Sequence, residues 1–564
     1  MMVTFISKLL ISISIVISTV AASDFAVNTA GYIGGSSSDD AINAVDVTSN
    51  GIIVLGGKLP DYAPSGITPV ELLGGGDGAI IRMSTDGAAV LSLTRFGGCV
   101  YDLEIGSDGR IAVCGDFGTG VLLPDASDFA WVKTDIEKGT LDAHTGSFFG
   151  DFASSSVNMR YRRELSRVSI GVDGTVASMQ QPLKYYDSQG NIRSAPYCWI
   201  YIYDSAGDLL GSFTADDKYS EDICVDGANN LVIHAGWNPK HHDWGSVQDH
   251  PIHVPFMRAH SYTGQVQWAN YDWEALDCYQ QTHFADSRVS EVVIGADGSL
   301  YMAGYIHGGD HLWKLGPKDI TDRPNVHIGY DNYTNPVNMG AGIDHAYFCQ
   351  YDPRDGDILK GQAAIVREHA DGSGKPRQSQ IKGIDVASDG TVYLAGYCQK
   401  YLPGRSSATV NGISVGSVIS SLPAAEPFVL VVNPGWQSRK AWVSFSKSSC
   451  EGTLWGIGCN NGYVAAAGTV FGGEAITSQA MQSAASSAHE GYIVAWEDHE
   501  HTAAQSGVTS SLSRASAASE IRIYDTAGRL LSKTGRAGFP NGSVSGIVFL
   551  CKGFHPISVK SLIR

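Results

Sequence analysis

The chain has 564 residues, only 17% of them charged, and carries a net charge of −18. That balance opposes association with a phosphate backbone, which needs clustered Lys and Arg, so no nucleic acid is expected as a partner. With 66 Gly and 25 Tyr, the composition suits many short strands joined by tight turns rather than charged helices.

At the N-terminus a single Lys8 precedes an apolar run from Leu9 to Val20, followed by Ala21, Ala22 and Ser23. Residues 1–23 have the layout of a secretory signal peptide cleaved near Ala22 or Ser23. The run is shorter than the roughly 20 residues that span a bilayer, and no later segment is predicted to cross a membrane. Export permits disulfides among the ten Cys. Cys450 and Cys459 could close a small loop, and Cys99 and Cys114 lie on neighbouring predicted strands. Equally, the cysteines fit as small apolar residues packed in a sheet.

From Ala41 onward one phrase recurs, as in "VYDLEIGSDGRIAVCGDF" from Val100 and "IKGIDVASDGTVYLAGYC" from Ile381. Its turn falls at Asn50-Gly51, Asp108-Gly109, Asp173-Gly174, Asn229-Asn230, Asp297-Gly298, Asp389-Gly390 and Asn461-Gly462. Those residue types tolerate positive φ, so each copy reads as two alternating strands around a two-residue turn. A Gly closes each second strand, at Gly57, Gly115, Gly236, Gly304, Gly396 and Gly468, and only the third copy breaks the rule, with Gln180. A second hairpin follows, for example "CWIYIYDSAGDLLGSF" from Cys198, and in the second copy "FAWVKTDIEKGTLDAHTGSFFG" from Phe129. Two hairpins make a four-stranded unit, and seven such units predict an all-β, seven-bladed β-propeller over residues 24–500. The seventh unit ends at "GYIVAWEDHE" without an outer strand. "AVNTAGYIGG", Ala26 to Gly35, is expected to supply it and close the ring.

The segment "GYIGGSSSDDAINAVDVTSNGIIVLGG", Gly31 to Gly57, resembles the bacterial SBBP-type β-propeller repeat. The likeness is good in the first, fifth and sixth units and loose in the third and fourth. That family is defined by shape and export, so the resemblance implies no active site.

Residues 501–519 are rich in Ser and Ala and read as a flexible linker. Beyond them, residues 520–564 contain "EIRIYDTAGRLLSKTG" and end in a basic strand. This resembles the C-terminal sorting domain of type IX secretion, through Ile523, Tyr524, Asp525, Gly528, Arg529, Leu530, Gly546, Phe549, Lys560 and Arg564. The opening strand with its Asn-Pro is missing. The resemblance implies a small β-sandwich-like domain, the type IX secretion machinery as partner, and a product released from, or attached to, the surface of a double-membraned bacterium.

No catalytic signature stands out. H-E-x-x-H and the phosphate-binding G-x-x-x-x-G-K-[ST] are absent, and "GISVG" at Gly412 to Gly416 lacks the strand and helix of a nucleophile elbow. Chemistry concentrates instead in insertions of the fourth and fifth units. His241, His242, Asp243, His250 and His253 could ligate a divalent metal, since imidazole and carboxylate both suit such ions. Trp237, Trp244, Asp310 and His311 make a candidate ligand surface, with rings that suit sugar faces. Loop His and Trp are also commonly structural. The sequence therefore points to a secreted or surface-attached, non-catalytic propeller that binds a polysaccharide or protein. A polysaccharide lyase or glycoside hydrolase using these His and Asp is the alternative.

Overall fold

The computed structural model describes residues 24–36, 40–134, 166–180, 185–186, 192–193, 198–215, 219–244, 247–281, 286–307, 315–324, 326, 343–369, 373–401, 409–415, 425–486 and 488–498. It also describes the strand backbones within 521–559. The signal peptide and linker lie outside these residues, as do most of the C-terminal positions that carry the sorting-domain resemblance. The chain divides into two compact units, 1–497 and 498–564. Among the described residues the protein is nearly all-β, with a single short helix at Ala275–Gln280.

Seven sheets, here sheets one to seven, follow one another through residues 29–497. Their first strands are Ala41–Val47, Val100–Ile105, Ser166–Ile170, Tyr219–Asp226, Ser287–Ile294, Ser379–Val386 and Glu451–Asn460. Each continues outward as an antiparallel set of four, and sheet one adds Val70–Gly76 in parallel at its outer edge. The fourth strand of sheet seven is Thr29–Ile33, paired with His489–Glu497 from Thr29↔Ala495 to Ile33↔Gly491. Each first strand lies beside the next, and that of sheet seven lies beside that of sheet one.

The apolar core sits between neighbouring sheets. Ile80, Val54 and Phe96 of sheet one meet Val100, Leu103 and Ile111 of sheet two, and at the other side Leu55 and Ile81 meet Ala465 and Ile493 of sheet seven. Both faces of most sheets are therefore buried. Strands such as "YVAAAGTVF" consequently read as continuous apolar runs rather than alternations.

The repeat glycine has a specific cause. In sheets one, two, four, five, six and seven the first strand carries a bulge, at Asn43, Tyr101, Glu221, Ser290, Lys382 and Trp455 respectively. The bulge turns a first-strand carbonyl onto the facing residue. A Cβ at Gly57, Gly115, Gly236, Gly304, Gly396 or Gly468 would come within 1.9–2.1 Å of the carbonyl oxygen of Ala41, Cys99, Tyr219, Arg288, Gln380 or Thr453. Sheet three has no bulge there, and Gln180 faces Ser166 in plain register. The missing glycine and the missing bulge are one fact.

Three expectations need correction. Most of the turns are not two-residue turns. Gly109, Gly174, Gly298 and Gly390 each donate N–H to the residue three before, and only the last turn residue is left-handed, so a type I turn is followed by a bulge glycine. Only Asn461-Gly462 has both residues at positive φ. In sheet two the second hairpin runs from Gly118–Leu122 into Phe129–Lys133, so Phe129 begins its return arm and not its outgoing one. Cys450 and Cys459 form no disulfide with each other. Both are thiols whose pKa burial raises, Cys450 to about 12.

In the C-terminal unit, Ile521–Tyr524 pairs with Leu530–Thr534 and Val548–Lys552, and the latter pairs with His555–Val559.

Gly396→Ala should lower unfolding stability by at least about 2 kcal/mol, because its methyl has only backbone to meet. Thermal denaturation measures this, and a loss under about 0.5 kcal/mol would remove the steric explanation.

Candidate functional site

The His-rich insertion of sheet four is not a loop. Its second and third strands, Leu231–Trp244 and Val247–Ser261, stay paired out to Trp244↔Val247, whereas the first strand ends opposite Trp237. Residues 238–244 and 247–254 therefore project as the two strands of an arm. Alternation splits its side chains between two faces. Ile252 and Val254 pack on Ala275, Cys278, Leu315 and Ile320, and on the same side His242 lies 5.2 Å from the Tyr279 ring. His250 faces His242 across the pair.

The other face carries Trp237, His241 and His253. His241 Nδ1 is 3.1 Å from Asp249 Oδ1, and Asp243 Oδ1 accepts the Asp249 N–H at 2.8 Å. The five candidate metal residues are thus divided by the pleat. Among the described residues, no three His, Cys, Asp or Glu side chains form a group that could hold a metal ion. Asp310 and His311 and the Trp244 side chain lie outside the described residues.

What the fold does assemble is a ladder of rings and cations across sheets four, five and six. The Tyr219 and Trp237 rings stack 3.9 Å apart at 6°. The Arg288 guanidinium lies 4.1 Å from the centroid of the Trp237 ring. Arg288 also sits 5.7 Å over Tyr305, with Lys382 5.8 Å from the same ring. Trp237 Nε1 donates to Glu221 at 2.8 Å, and the His253 ring centroid lies 4.1 Å from that of Trp237. Trp237 is 8% exposed and so supports the site from below, while Tyr219, 40% exposed, presents its outer ring face.

Arg288 Nη2 donates to His253 Nδ1 at 2.7 Å, and Asp286 Oδ2 lies 3.0 Å from the same nitrogen. The two compete, and the proton on Nδ1 decides which is bonded. Burial would raise the Asp286 carboxyl, yet the His253 hydrogen bond and the Arg288 charge hold it below its ordinary value. Farther along, His307 Nδ1 is 2.7 Å from Asp344 Oδ1, while Asp344 Oδ2 accepts from Gln378 at 2.8 Å and Gln380 at 2.5 Å. The bond to Asp344 raises the His307 pKa against the effect of burial.

The sequence signal for Tyr219, Arg288, Tyr305 and Lys382 was available but lay in a column rather than a cluster. The residue after the repeat glycine is Trp237, Tyr305 and Tyr397 in units four, five and six, but Lys58, Asp116 and Thr469 in units one, two and seven. Its cross-strand partners are Tyr219, Arg288 and Gln380.

No family model matches the chain, and no curated protein matches it. Among solved structures it is similar to Kuenenia stuttgartiensis hydrazine synthase, at a TM-score of 0.38 and 9% identity, covering 75% of this chain and 92% of that one. Saccharomyces cerevisiae Sqt1 gives 0.35 and 10%, over 85% and 99% of the two chains, and the C-terminal WD40 domain of Sif2 gives 0.34 and 10%, over 82% and 98%.

In NMR titration the His307 ring should deprotonate above the ordinary imidazole value of about 6.5. Asp344→Asn should lower that midpoint. The pair's contribution to stability is complete below the ordinary value and lost as pH rises through the raised one. A midpoint unchanged by Asp344→Asn would refute the pairing.

Proposed function

We propose that residues 24–498 form a seven-bladed β-propeller, sealed by the strand Thr29–Ile33, that is exported and serves as a non-catalytic scaffold. Its partner is an extracellular polysaccharide or protein, held where the arm of sheet four and the ring-and-cation ladder adjoin. The observation that carries this reading is the ladder itself, with a supported and exposed Tyr219 at one end. The acids of this region are bonded to neighbouring donors: Glu221 to Trp237, Asp286 to His253, and Asp344 to His307 and two glutamines. Such acids hold side chains in place.

Sealing is supported by more than one strand. Asp24–Phe25 pairs in parallel with Thr409–Val410, and the Asn411 side chain bonds both the N–H and the carbonyl of Val27. Deleting residues 24–35 should therefore lower the melting temperature of the whole ring in one transition. An unchanged melting temperature would sink the sealing role.

Replacing residues 240–251 by an Asn-Gly turn removes the arm while leaving the sheets. It should abolish retention on the producing cells' extracellular matrix without lowering the ring's melting temperature. Undiminished retention would move the binding surface elsewhere.

The signal peptide and the tail's resemblance to a sorting domain support delivery to the surface or medium by type IX secretion. A chain ending at Glu500 should accumulate inside the cell envelope. Equal amounts of truncated and full chain in the medium would mean the tail is not an address.

A further inference from the structure

Sheets three and four enclose a pair of imidazoles that the ladder does not use. His234 lies on Leu231–Trp244 and His260 on Val247–Ser261, diagonally across that strand pair. Their Nε2 atoms are 3.1 Å apart. The His260 ring stacks on Phe213 of sheet three, 4.1 Å away at 18°. The His234 ring lies 6.2 Å from Phe213 and 5.4 Å from Phe256. His234 is fully buried and His260 is 6% exposed.

The hydrogen bonds fix where the protons are. His260 Nδ1 is 3.2 Å from the Gly264 carbonyl, which can only accept, so that nitrogen carries a hydrogen. In a neutral ring the His260 Nε2 is then bare and accepts from His234 Nε2–H. The remaining nitrogen, His234 Nδ1, is buried with no hydrogen-bond partner among the described residues. One proton on each ring therefore satisfies the pair, and a further proton has no good place. On His260 Nε2 it sets two N–H groups head to head, and on His234 Nδ1 it buries a donor with nothing to accept it. Either position puts a cation among phenyl rings, where charge is costly. Burial, with His260 and Arg258 beside it, holds the His234 pKa well below its ordinary value, and burial lowers that of His260 against the pull of the Gly264 carbonyl.

The surroundings offer no counter-charge to the pair. Arg258, on the His260 strand, is itself a cation and bonds Asp272 Oδ2 at 2.5 Å. Tyr262 donates its hydroxyl to Asp173 of sheet three at 2.9 Å. The outer strands of sheet three, Cys198–Tyr203 and Leu209–Ala215, carry no charged residue. Around the imidazoles the seam is apolar, with Ile200, Ile202 and Phe213 of sheet three packed on Ile223, Val225 and Val232 of sheet four. Its inner end is held separately, by the Val225 N–H bonded to Ser169 at 2.9 Å and by Arg167 beside Asp222.

From this geometry we propose that the His234–His260 pair is an acid-sensitive catch, which on taking up protons parts the outer half of sheet four from sheet three while their inner ends stay joined. The inference does not depend on the binding reading above. Neutral in the fold, the pair contributes stability above the ordinary imidazole value of about 6.5 and loses it as pH falls below. Each proton gained on opening raises the opening constant by up to about tenfold per pH unit. Asp46, Glu104 and Asp385, whose pKa values burial raises, favour the closed fold on acidification, so they cannot produce such a loss. His345, lowered by burial to about 4, acts in the same direction as the pair but lies in sheet five, so its effect appears there.

Hydrogen exchange of the full chain, read by mass spectrometry at about pH 7.5 and about pH 5 and corrected for intrinsic exchange, tests this. Peptides covering 198–215 and 231–244 should lose protection by about tenfold or more at the acid pH, while those covering 41–58 and 451–471 in sheets one and seven keep theirs. His234→Phe, which fills the space between Phe213 and Phe256 with a ring that does not titrate, should remove most of the acid loss, and so should His260→Gln. The two variants delete different rings, so the test stands if one of them fails to fold. Seam protection equal at the two pH values in the wild-type chain overturns the proposal. An equal loss in sheets one and seven overturns its placement at the seam. A loss undiminished in both variants overturns the assignment to these histidines.

Discussion

Each first strand exposes one edge of backbone N–H and C=O groups, and the protein answers each edge with a side chain from the adjoining sheet. Asp46 accepts from Ile105 N–H at 2.7 Å, Asp102 and Glu104 from Val168 and Ile170, Ser169 from Val225, and Asp222 from Val292. Ser290 donates to the Ile381 carbonyl, Asp385 accepts from Cys459 N–H at 2.6 Å, and Asn460 donates to the Val47 carbonyl. Every one of the seven sheet-to-sheet junctions, the last-to-first included, has such a bond. An unpaired strand edge is costly when buried and hazardous when open. This circuit joins the seven sheets along their first strands.

The circuit has an electrostatic cost that the sequence does not advertise. Asp46, Glu104 and Asp385 are enclosed deep in the protein although solvent still reaches part of each residue. Burial first, then the mutual repulsion of neighbouring acids, raises Asp46 to about 7 and Glu104 to about 8, while burial raises Asp385 to about 6. Their charged forms are disfavoured in the fold, so these groups favour the folded state at mildly acidic pH and lose that advantage as pH rises through their folded values. Arg167 lies 3.8 Å from Asp222 of the same circuit. Burial works against its charge, and Asp102, Asp222 and Glu291 keep it charged. Sheet three, which lacks the bulge, is the sheet that supplies this arginine.

The same bulge that costs a side chain at the repeat glycine also builds the ladder of rings and cations. In sheets four and six the bulged residues are Glu221 and Lys382, one anchoring the Trp237 indole and the other reaching the Tyr305 ring. Scaffold and site thus share one irregularity. The arm of sheet four adds its His253 to the ladder from one face, while its opposite face is spent on the small core around Ala275 and Leu315.

The strand pattern, the turn positions and the N-terminal strand that completes sheet seven were legible because they depend on local chemistry: Asp or Asn before Gly for positive φ, and Gly where a carbonyl crowds the facing residue. Trp237 stood out in the sequence, but its contacts did not, since those with Tyr219 and Arg288 join residues from different strands and sheets. The histidines that looked like one cluster in sequence were parted by the pleat, because residues adjacent along an extended strand point to opposite faces. The sequence by itself determined where most strands lie and where the first hairpin of each unit turns. The tertiary structure alone decided which side chains meet, because that depends on bulges and on contacts between sheets far apart in the chain.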